Sequence, residues 1–164
     1  MAAGKGTRMK SAHPKVLHTL AGRSLLQHVL NAVAGLQADQ TLLIVGHGAD
    51  AVRASVAGSG ALCVLQEPQL GTGHAVQQAV PHLPDAGTTL ILNGDVPLIE
   101  PATAAALVAA CGGTKLALLT IELADATGYG RIVSNGKQEV HAIVEQTDAS
   151  KAERAIREVY TGML

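Results

Sequence analysis

The chain has 164 residues and a net charge of −1 at pH 7, with two tyrosines and no Phe or Trp. This length suits one domain with a hydrophobic core, whereas the near-neutral charge and scarce aromatic surface give no basis for a nucleic-acid partner. Because Cys63 and Cys111 lie far apart and no secretory signal or membrane-length apolar run is found, we expect a cytoplasmic protein with reduced thiols and no membrane partner.

Residues 1–9, together with Lys15, predict a phosphate-binding loop. Gly4 and Gly6 let backbone N–H groups approach a phosphate closely, and Arg8 and Lys15 supply a planar guanidinium and a mobile ammonium. The residues around these glycines fit neither a P-loop nor the dinucleotide-binding fingerprint. Gly4 and Gly6 taken alone are equally consistent with an ordinary glycine turn.

Apolar segments of strand length then alternate with segments of helical periodicity. After a strand end at residues 1–4, strands are predicted at 41–45, 61–65, 88–92 and 115–121, and helices at 24–36, 49–56, 71–80 and 101–110. Ser24 is the predicted N-cap of the first helix. The alternation predicts an α/β fold of Rossmann-like type, with a doubly wound and mostly parallel sheet, in a single domain over residues 1–164.

The pattern changes after residue 121. Segments 131–134 and 139–144 flank Asn135-Gly136, a strong β-hairpin signal. A polar helix at 148–158 and the start of a strand at 160–164 follow. We predict that this hairpin is an insertion near the C-terminus that faces the substrate.

Several polar residues follow predicted strands, where open α/β sheets bind their ligands. Asp95 could hold Mg²⁺, which prefers oxygen ligands shared with substrate phosphates; the alternative is a carboxylate that caps the next helix. Gln66 precedes the glycine loop at Gly71 and Thr72, and its amide suits the imide edge of uracil. For Gln66 alone, a surface glutamine at a strand end is the simpler interpretation.

The spacing of residues indicates neither a nucleophilic catalytic site nor a metal site built from histidines. The seven histidines are scattered without a metal-ligand pattern, and no Ser-His-Asp or Cys-His arrangement is evident. His74 begins a helix beside the glycine loop, and we predict a structural role for it.

Motifs spread over nearly the whole chain resemble those of one enzyme family. They are Ala2 to Met9 with Pro14 to His18, Gln66 with Leu70 to Ala75, Gly94 to Leu98, Thr127 to Ile132, and Ile143 to Glu145. In this order they resemble the sugar-nucleotide pyrophosphorylases, and more narrowly the uridylyltransferase domain of the bifunctional N-acetylglucosamine-1-phosphate uridylyltransferase/glucosamine-1-phosphate acetyltransferases. That family has an apolar strand before Ala2 and continues beyond Leu164, so the resemblance implies a chain truncated at both ends.

The resemblance implies an enzyme of nucleotide-diphospho-sugar transferase type. It would transfer UMP from UTP to N-acetylglucosamine-1-phosphate, with Mg²⁺ as cofactor, in the synthesis of cell-wall, peptidoglycan and lipopolysaccharide precursors. The implied catalytic residues are Arg8, Lys15 and Asp95, with Asp95 as the metal ligand. The implied substrate contacts are Met1, Ala2, Ala3, Gly4, Lys15, Gln66, Gly71, Thr72, Asn93, Gly94, Asp95, Gly130 and Glu145. Without the resemblance, the last two are a turn glycine and an exposed acid.

The chain departs from this family in three respects. Tyr160 stands where the family has the asparagine of an Asn-Thr-Gly segment that contacts the sugar. A second metal ligand and the acetyltransferase β-helix that forms the trimer lie beyond Leu164, so no trimer is expected. Two alternatives therefore stay open: a remnant that binds uridine nucleotides with weak or no catalysis, and a nucleotidyltransferase for another sugar phosphate.

Overall fold

The computed structural model describes residues 1–6, 9–135 and 139–164, which pack into two compact units, Met1–Gly113 and Thr114–Leu164. The sequence predicts a single domain over residues 1–164, and this division into two units does not test that prediction. The first unit contains β1 (Thr19–Leu20), β2 (Arg23–Ser24), α1 (Leu25–Val33), β3 (Leu42–Val45), α2 (Ala49–Ser55), β4 (Leu62–Leu65), α3 (Thr72–Ala79) and α4 (Pro101–Cys111). The second contains β5 (Thr120–Glu122), β6 (Arg131–Ser134), β7 (Val140–Val144), α5 (Lys151–Arg154) and β8 (Glu158–Tyr160). Within the described ranges, no helix has the length and apolar character needed to cross a bilayer.

Four parallel segments run side by side in the first unit. β3 pairs in parallel with β4, and on the other side of β3, Ala2 forms a parallel bridge to Val45. Next to these residues, the Met1 amine donates to Leu92 O at 2.6 Å and the Met1 carbonyl accepts from Gly94 N at 2.8 Å. Met1 therefore bonds to the residues on either side of Asn93 in the neighbouring segment, and this is the hydrogen-bond pattern of parallel strands. The order is therefore β4, β3, residues 1–3, residues 92–94.

The apolar sequence of β3 follows from burial on both of its faces. Successive strand residues point to opposite faces, and Leu43 and Val45 pack in one cluster with Leu26 and Val52. Ile44, between them, packs in a separate cluster with Ala3 and Ala75. Since helices cover both faces, β3 carries a continuous apolar run rather than an alternating one.

Local signals place the helices of this unit. The Ser24 hydroxyl accepts from Gln27 N at 3.1 Å and caps α1, as predicted. A short 3-10 turn at Ala34–Leu36 extends α1 to the end of the predicted helix. Pro101 occupies the first turn of α4, where its missing N–H leaves no bond unmade.

The second unit is built on a four-stranded antiparallel sheet in the order β5-β8-β6-β7. β6 and β7 form the predicted hairpin, with Ile132 opposite Ile143; Gly136, in its predicted turn, lies outside the described residues. The capping box of Ser150 and Glu153 starts α5, because each side chain bonds to the other's backbone N–H.

Three sequence-based element assignments are wrong. Residues 88–92 form no strand; next to them, Leu92 O accepts from the Met1 amine and Gly94 N donates to the Met1 carbonyl. The strand predicted at 115–121 is the shorter β5. The helix predicted at 148–158 ends at Arg154, because residues 158–160 pair with β5 and β6 and form β8 instead. Long-range pairing has overridden local propensity in the last case.

The buried Met1 amine makes stability depend on pH. Burial lowers the pKa of this ammonium from 8.0 to about 6, and the negative charge of Asp95 partly opposes the shift. Between these values the unfolded chain binds the proton and the folded chain does not, so stability rises with pH across this window, by about 2–3 kcal/mol. We expect the urea midpoint to increase from pH 6 to pH 8 in a chain whose intact mass confirms Met1.

The control is the same chain with an acetylated N-terminus, which keeps the N–H donor to Leu92 and removes the titrating amine. Its increase from pH 6 to pH 8 should be smaller by this amount. Equal pH dependence in the two chains would contradict the prediction.

Candidate functional site

Two of the predicted catalytic residues, Lys15 and Asp95, lie together in the first unit. Lys15 begins a 3-10 turn after Pro14, and its Nζ donates to Asp95 Oδ2, which follows residues 92–94. Their side chains are 39% and 31% exposed, so both remain accessible to a ligand. Arg8, the other predicted phosphate ligand, lies outside the described residues.

Gly6 brings the phosphate loop against Lys15. Its φ is +59°, a left-handed conformation that favours glycine, and a Cβ at this position would lie 2.8 Å from Lys15 Cβ. A side chain at position 6 would therefore displace Lys15. The loop is thus packed against the lysine that we predicted as its partner.

The predicted backbone contacts occupy adjacent segments of the sheet. Ala2 and Ala3 are buried and Gly4, just beyond them, is exposed. A Cβ on Gly94 would lie 3.0 Å from the Met1 carbonyl oxygen, so a side chain at position 94 would have to push residues 92–94 and Met1 slightly apart. Asn93 lies within this closely packed segment.

Gln66 is a buried polar residue that follows β4. It is 2% exposed, and its backbone N–H continues the parallel ladder to Val45 O at 2.8 Å. Its side-chain Nε2 lies 2.9 Å from Gly71 O and 3.2 Å from His74 Nδ1. Gly71, with φ +100°, precedes Thr72, the first residue of α3. The structure thus brings together Gln66, Gly71 and Thr72, and adds His74.

Gly130 and Glu145 are neighbours in the second unit. A Cβ on Gly130 would lie 3.4 Å from Glu145 Oε1, and the Gly130 carbonyl accepts from Tyr160 N at 3.0 Å. Next to Gly130, the buried Arg131 guanidinium donates to Tyr129 O and, at 2.8 Å, to Gln146 Oε1. These bonds fix the backbone on which Gly130 lies.

Asp95 is the predicted Mg²⁺ ligand. Across residues 1–6, 9–135 and 139–164, no three His, Cys, Asp or Glu side chains cluster in an arrangement that could hold a metal ion. Asp95 is nevertheless partly exposed and already pairs with a cation. One carboxylate suits Mg²⁺ when water and substrate phosphates complete its coordination.

His74 has hydrogen-bonding partners on both sides, and the structural role predicted for it stays a prediction. Its ring lies between two amides, because Gln78 Nε2 is 3.1 Å from His74 Nε2 and Gln66 Nε2 approaches the other ring nitrogen. Residues 74 and 78 are four apart on α3 and therefore share a helix face. That spacing was the available signal in the sequence, whereas the bond to Gln66 depends on the path of the loop.

Comparisons with known proteins show the family and the fold of the chain. The family model of the MobA-like NTP transferase domain matches residues 1–159. The chain is 65% identical to the bifunctional protein GlmU of Methylibium petroleiphilum and 60% identical to that of Polaromonas naphthalenivorans. Each match covers 100% of this chain but 37% of the relative, so the chain spans a little over a third of the length of these curated relatives.

Two solved structures share the fold. HddC from Yersinia pseudotuberculosis has a TM-score of 0.73 at 21% identity, covering 99% of this chain and 70% of that chain. UDP-glucose pyrophosphorylase, solved in complex with UDP-glucose, has a TM-score of 0.78 at 14% identity, covering 99% and 72%. At these identities the likeness shows the fold alone, and it confirms the predicted α/β class.

Proposed function

Because this chain belongs to the family of MobA-like NTP transferase domains, we propose that it transfers UMP from UTP to N-acetylglucosamine-1-phosphate, releasing pyrophosphate and UDP-N-acetylglucosamine. The bifunctional relatives at 60–65% identity support this reaction, and they agree with the family resemblance of the sequence motifs. The proposed partners are these small-molecule substrates, and the proposed compartment is the cytoplasm.

One observation carries the proposal: the candidate residues follow parallel neighbours in one sheet. Gln66 follows β4, Gly4 follows residues 1–3, and Asp95 follows residues 92–94, and these segments run in the same direction. Parallel neighbours end at the same edge of a sheet, where α/β folds bind nucleotides. A base contact at Gln66 and phosphate contacts at Gly4 and Lys15 would lie along that edge.

The reaction itself requires no nucleophilic side chain. The sugar phosphate is already anionic, and one of its oxygens attacks the α-phosphorus of UTP while the bond to the pyrophosphate leaving group breaks. Lys15 and Arg8 would hold the phosphates in line and neutralise charge. Asp95 would hold Mg²⁺, which supplies further charge neutralisation when bound.

Gly130 and Glu145 are the residues that the family resemblance implies as sugar contacts. Gly130 leaves backbone accessible where a side chain would collide with Ile143, and the exposed Glu145 carboxylate can accept bonds from sugar hydroxyls. Tyr160 pairs with Thr120 in the same sheet. We propose Gly130 and Glu145 as sugar contacts.

The testing experiment is a thermal melt of the chain with Mg²⁺ and either UDP-N-acetylglucosamine or GDP-mannose. A ligand that binds only the folded state adds about 2.7 kcal/mol to the free energy of unfolding when its concentration is a hundred times its Kd, and the melting midpoint rises accordingly. We expect only the uridine sugar to raise it. Equal shifts with both ligands, or no shift with either, would contradict the proposal.

A pyrophosphate-release assay with UTP and N-acetylglucosamine-1-phosphate then separates transfer from binding. Release is expected. A selective shift in the melt without release would support the second candidate, uridine-nucleotide binding without catalysis.

A further inference from the structure

Gln66, His74 and Gln78 form a connected row of polar side chains beside α3. Gln66 Nε2 contacts Gly71 O at 2.9 Å and His74 Nδ1 at 3.2 Å, and the Gln78 amide lies 3.1 Å from His74 Nε2. Gln66 is almost fully buried, at 2% exposure. Polar groups buried to this extent adopt the orientation that satisfies their hydrogen bonds.

The donor and acceptor properties of these atoms determine the orientation of the Gln66 side-chain amide. A backbone carbonyl can only accept, so Gly71 O requires the NH₂ group of Gln66 on its side. The second NH₂ hydrogen then points to His74 Nδ1, which must be the unprotonated nitrogen of a neutral ring. Nε2 consequently carries the ring proton, and Gln78 can accept it with its amide oxygen after a half-turn of the terminal torsion. This half-turn gives up the 3.3 Å bond from Gln78 Nε2 to His74 O, a carbonyl that lies four residues before the Gln78 backbone N–H within α3 and is paired by the helix itself.

This arrangement leaves the amide oxygen Oε1 as the group of Gln66 that can bind a ligand. Both NH₂ hydrogens are used within the protein, and in the described part of the chain the side-chain hydrogen bonds of Gln66 are made by Nε2 and not by Oε1. A ligand at Gln66 therefore meets an acceptor. Uracil presents an N3–H donor at its Watson–Crick edge, and cytosine presents a lone pair at the same atom.

Building on the proposed function, we propose that His74 is a positioning residue for base selection. By accepting the second NH₂ hydrogen, it holds the Gln66 amide with Oε1 available, so that the site accepts from uracil N3–H and repels cytosine N3. A correctly paired base is favoured over one that leaves a buried polar group unpaired by about 10- to 100-fold. The hydrogen bond between Gln66 and His74 is one neutral hydrogen bond, and its loss should reduce the preference for UTP over CTP by about fivefold.

The test compares two substitutions of similar shape. His74→Asn places Oδ1 where the ring nitrogen Nδ1 was and keeps an acceptor for Gln66. His74→Leu has the same branching and no acceptor. The dissociation constants of UTP and CTP are measured by calorimetric titration with Mg²⁺ for the wild-type chain and both variants. His74→Ala, a good helix former, replaces the leucine variant if that variant does not fold.

We expect the wild-type chain to favour UTP, His74→Asn to keep most of this preference, and His74→Leu to lose about fivefold of it. A purely structural role of His74 would weaken both nucleotides equally and leave the ratio unchanged; an unchanged ratio in the leucine or alanine variant overturns the proposal. A wild-type chain that does not distinguish UTP from CTP contradicts the proposed function instead. Gln66→Met should abolish the preference, because it removes the selecting oxygen.

Discussion

Lys15→Ala should lower the rate constant of uridylyl transfer by about 10²–10³, the usual loss when one positioned group that stabilises transition-state charge is removed. Lys15 packs against the phosphate loop at Gly6, and its Nζ pairs with Asp95. Alanine keeps the Cβ that packs against Gly6, so the loop should retain its conformation. The measurement is steady-state pyrophosphate release at saturating UTP and sugar phosphate.

The matched control is Lys151→Ala, which removes an exposed lysine from α5 in the second unit and should leave the rate unchanged. Both variants should melt close to the wild-type chain, since a partly exposed ion pair contributes about 0–1 kcal/mol to stability. Near wild-type turnover by a folded Lys15→Ala chain would remove Lys15 from the proposed mechanism.

Gly48→Ala should destabilise the first unit by about 2–5 kcal/mol, the sum of left-handed backbone strain and a steric clash. Gly48 has φ +66°, and a Cβ there would lie 2.4 Å from Pro14 Cγ, an atom of a rigid ring. The clash can be relieved only if the segment that carries Pro14 and Lys15 moves. Chemical denaturation should show the loss of stability, and transfer activity should fall with it.

Gly58→Ala separates the two causes. Gly58 also has positive φ, at +84°, but a Cβ there meets no atom within 4 Å. It should cost only the strain, about 1–2 kcal/mol. If both variants lose the same stability, the contact between Gly48 and Pro14 contributes nothing, and the prediction is wrong.

Much of the first unit could be predicted because its signals are local. The Ser24 cap, the apolar run of β3 and the proline at the start of α4 each act within a few residues. The failures lie where distant segments decide the outcome. The sequence pattern predicts a helix up to residue 158, yet Glu158–Tyr160 form the strand β8 between β5 and β6, because both neighbours offer backbone partners. No local pattern contains that information.

The site shows the same division. The residue types at Lys15, Gln66 and Asp95 indicate phosphate, base and metal chemistry, and the order of strands predicts that they share an edge. The pairing of Lys15 with Asp95 joins residues 80 positions apart, and the orientation of the Gln66 amide depends on the direction of one carbonyl at Gly71. Both are properties of the folded backbone, which residue spacing does not determine.

The ion pair between Lys15 and Asp95 also sets a free-energy cost for ligand binding, because a nucleotide must separate the two charges. Without nucleotide, each charge serves as the counter-ion of the other, so neither requires an ion from solution. Both side chains are about one-third exposed, and separating such a pair costs about 1 kcal/mol or less. The resulting loss of nucleotide affinity is at most about fivefold. The free protein can thus keep both charges neutralised and still release them readily to the phosphate and the metal ion that we propose as their ligands.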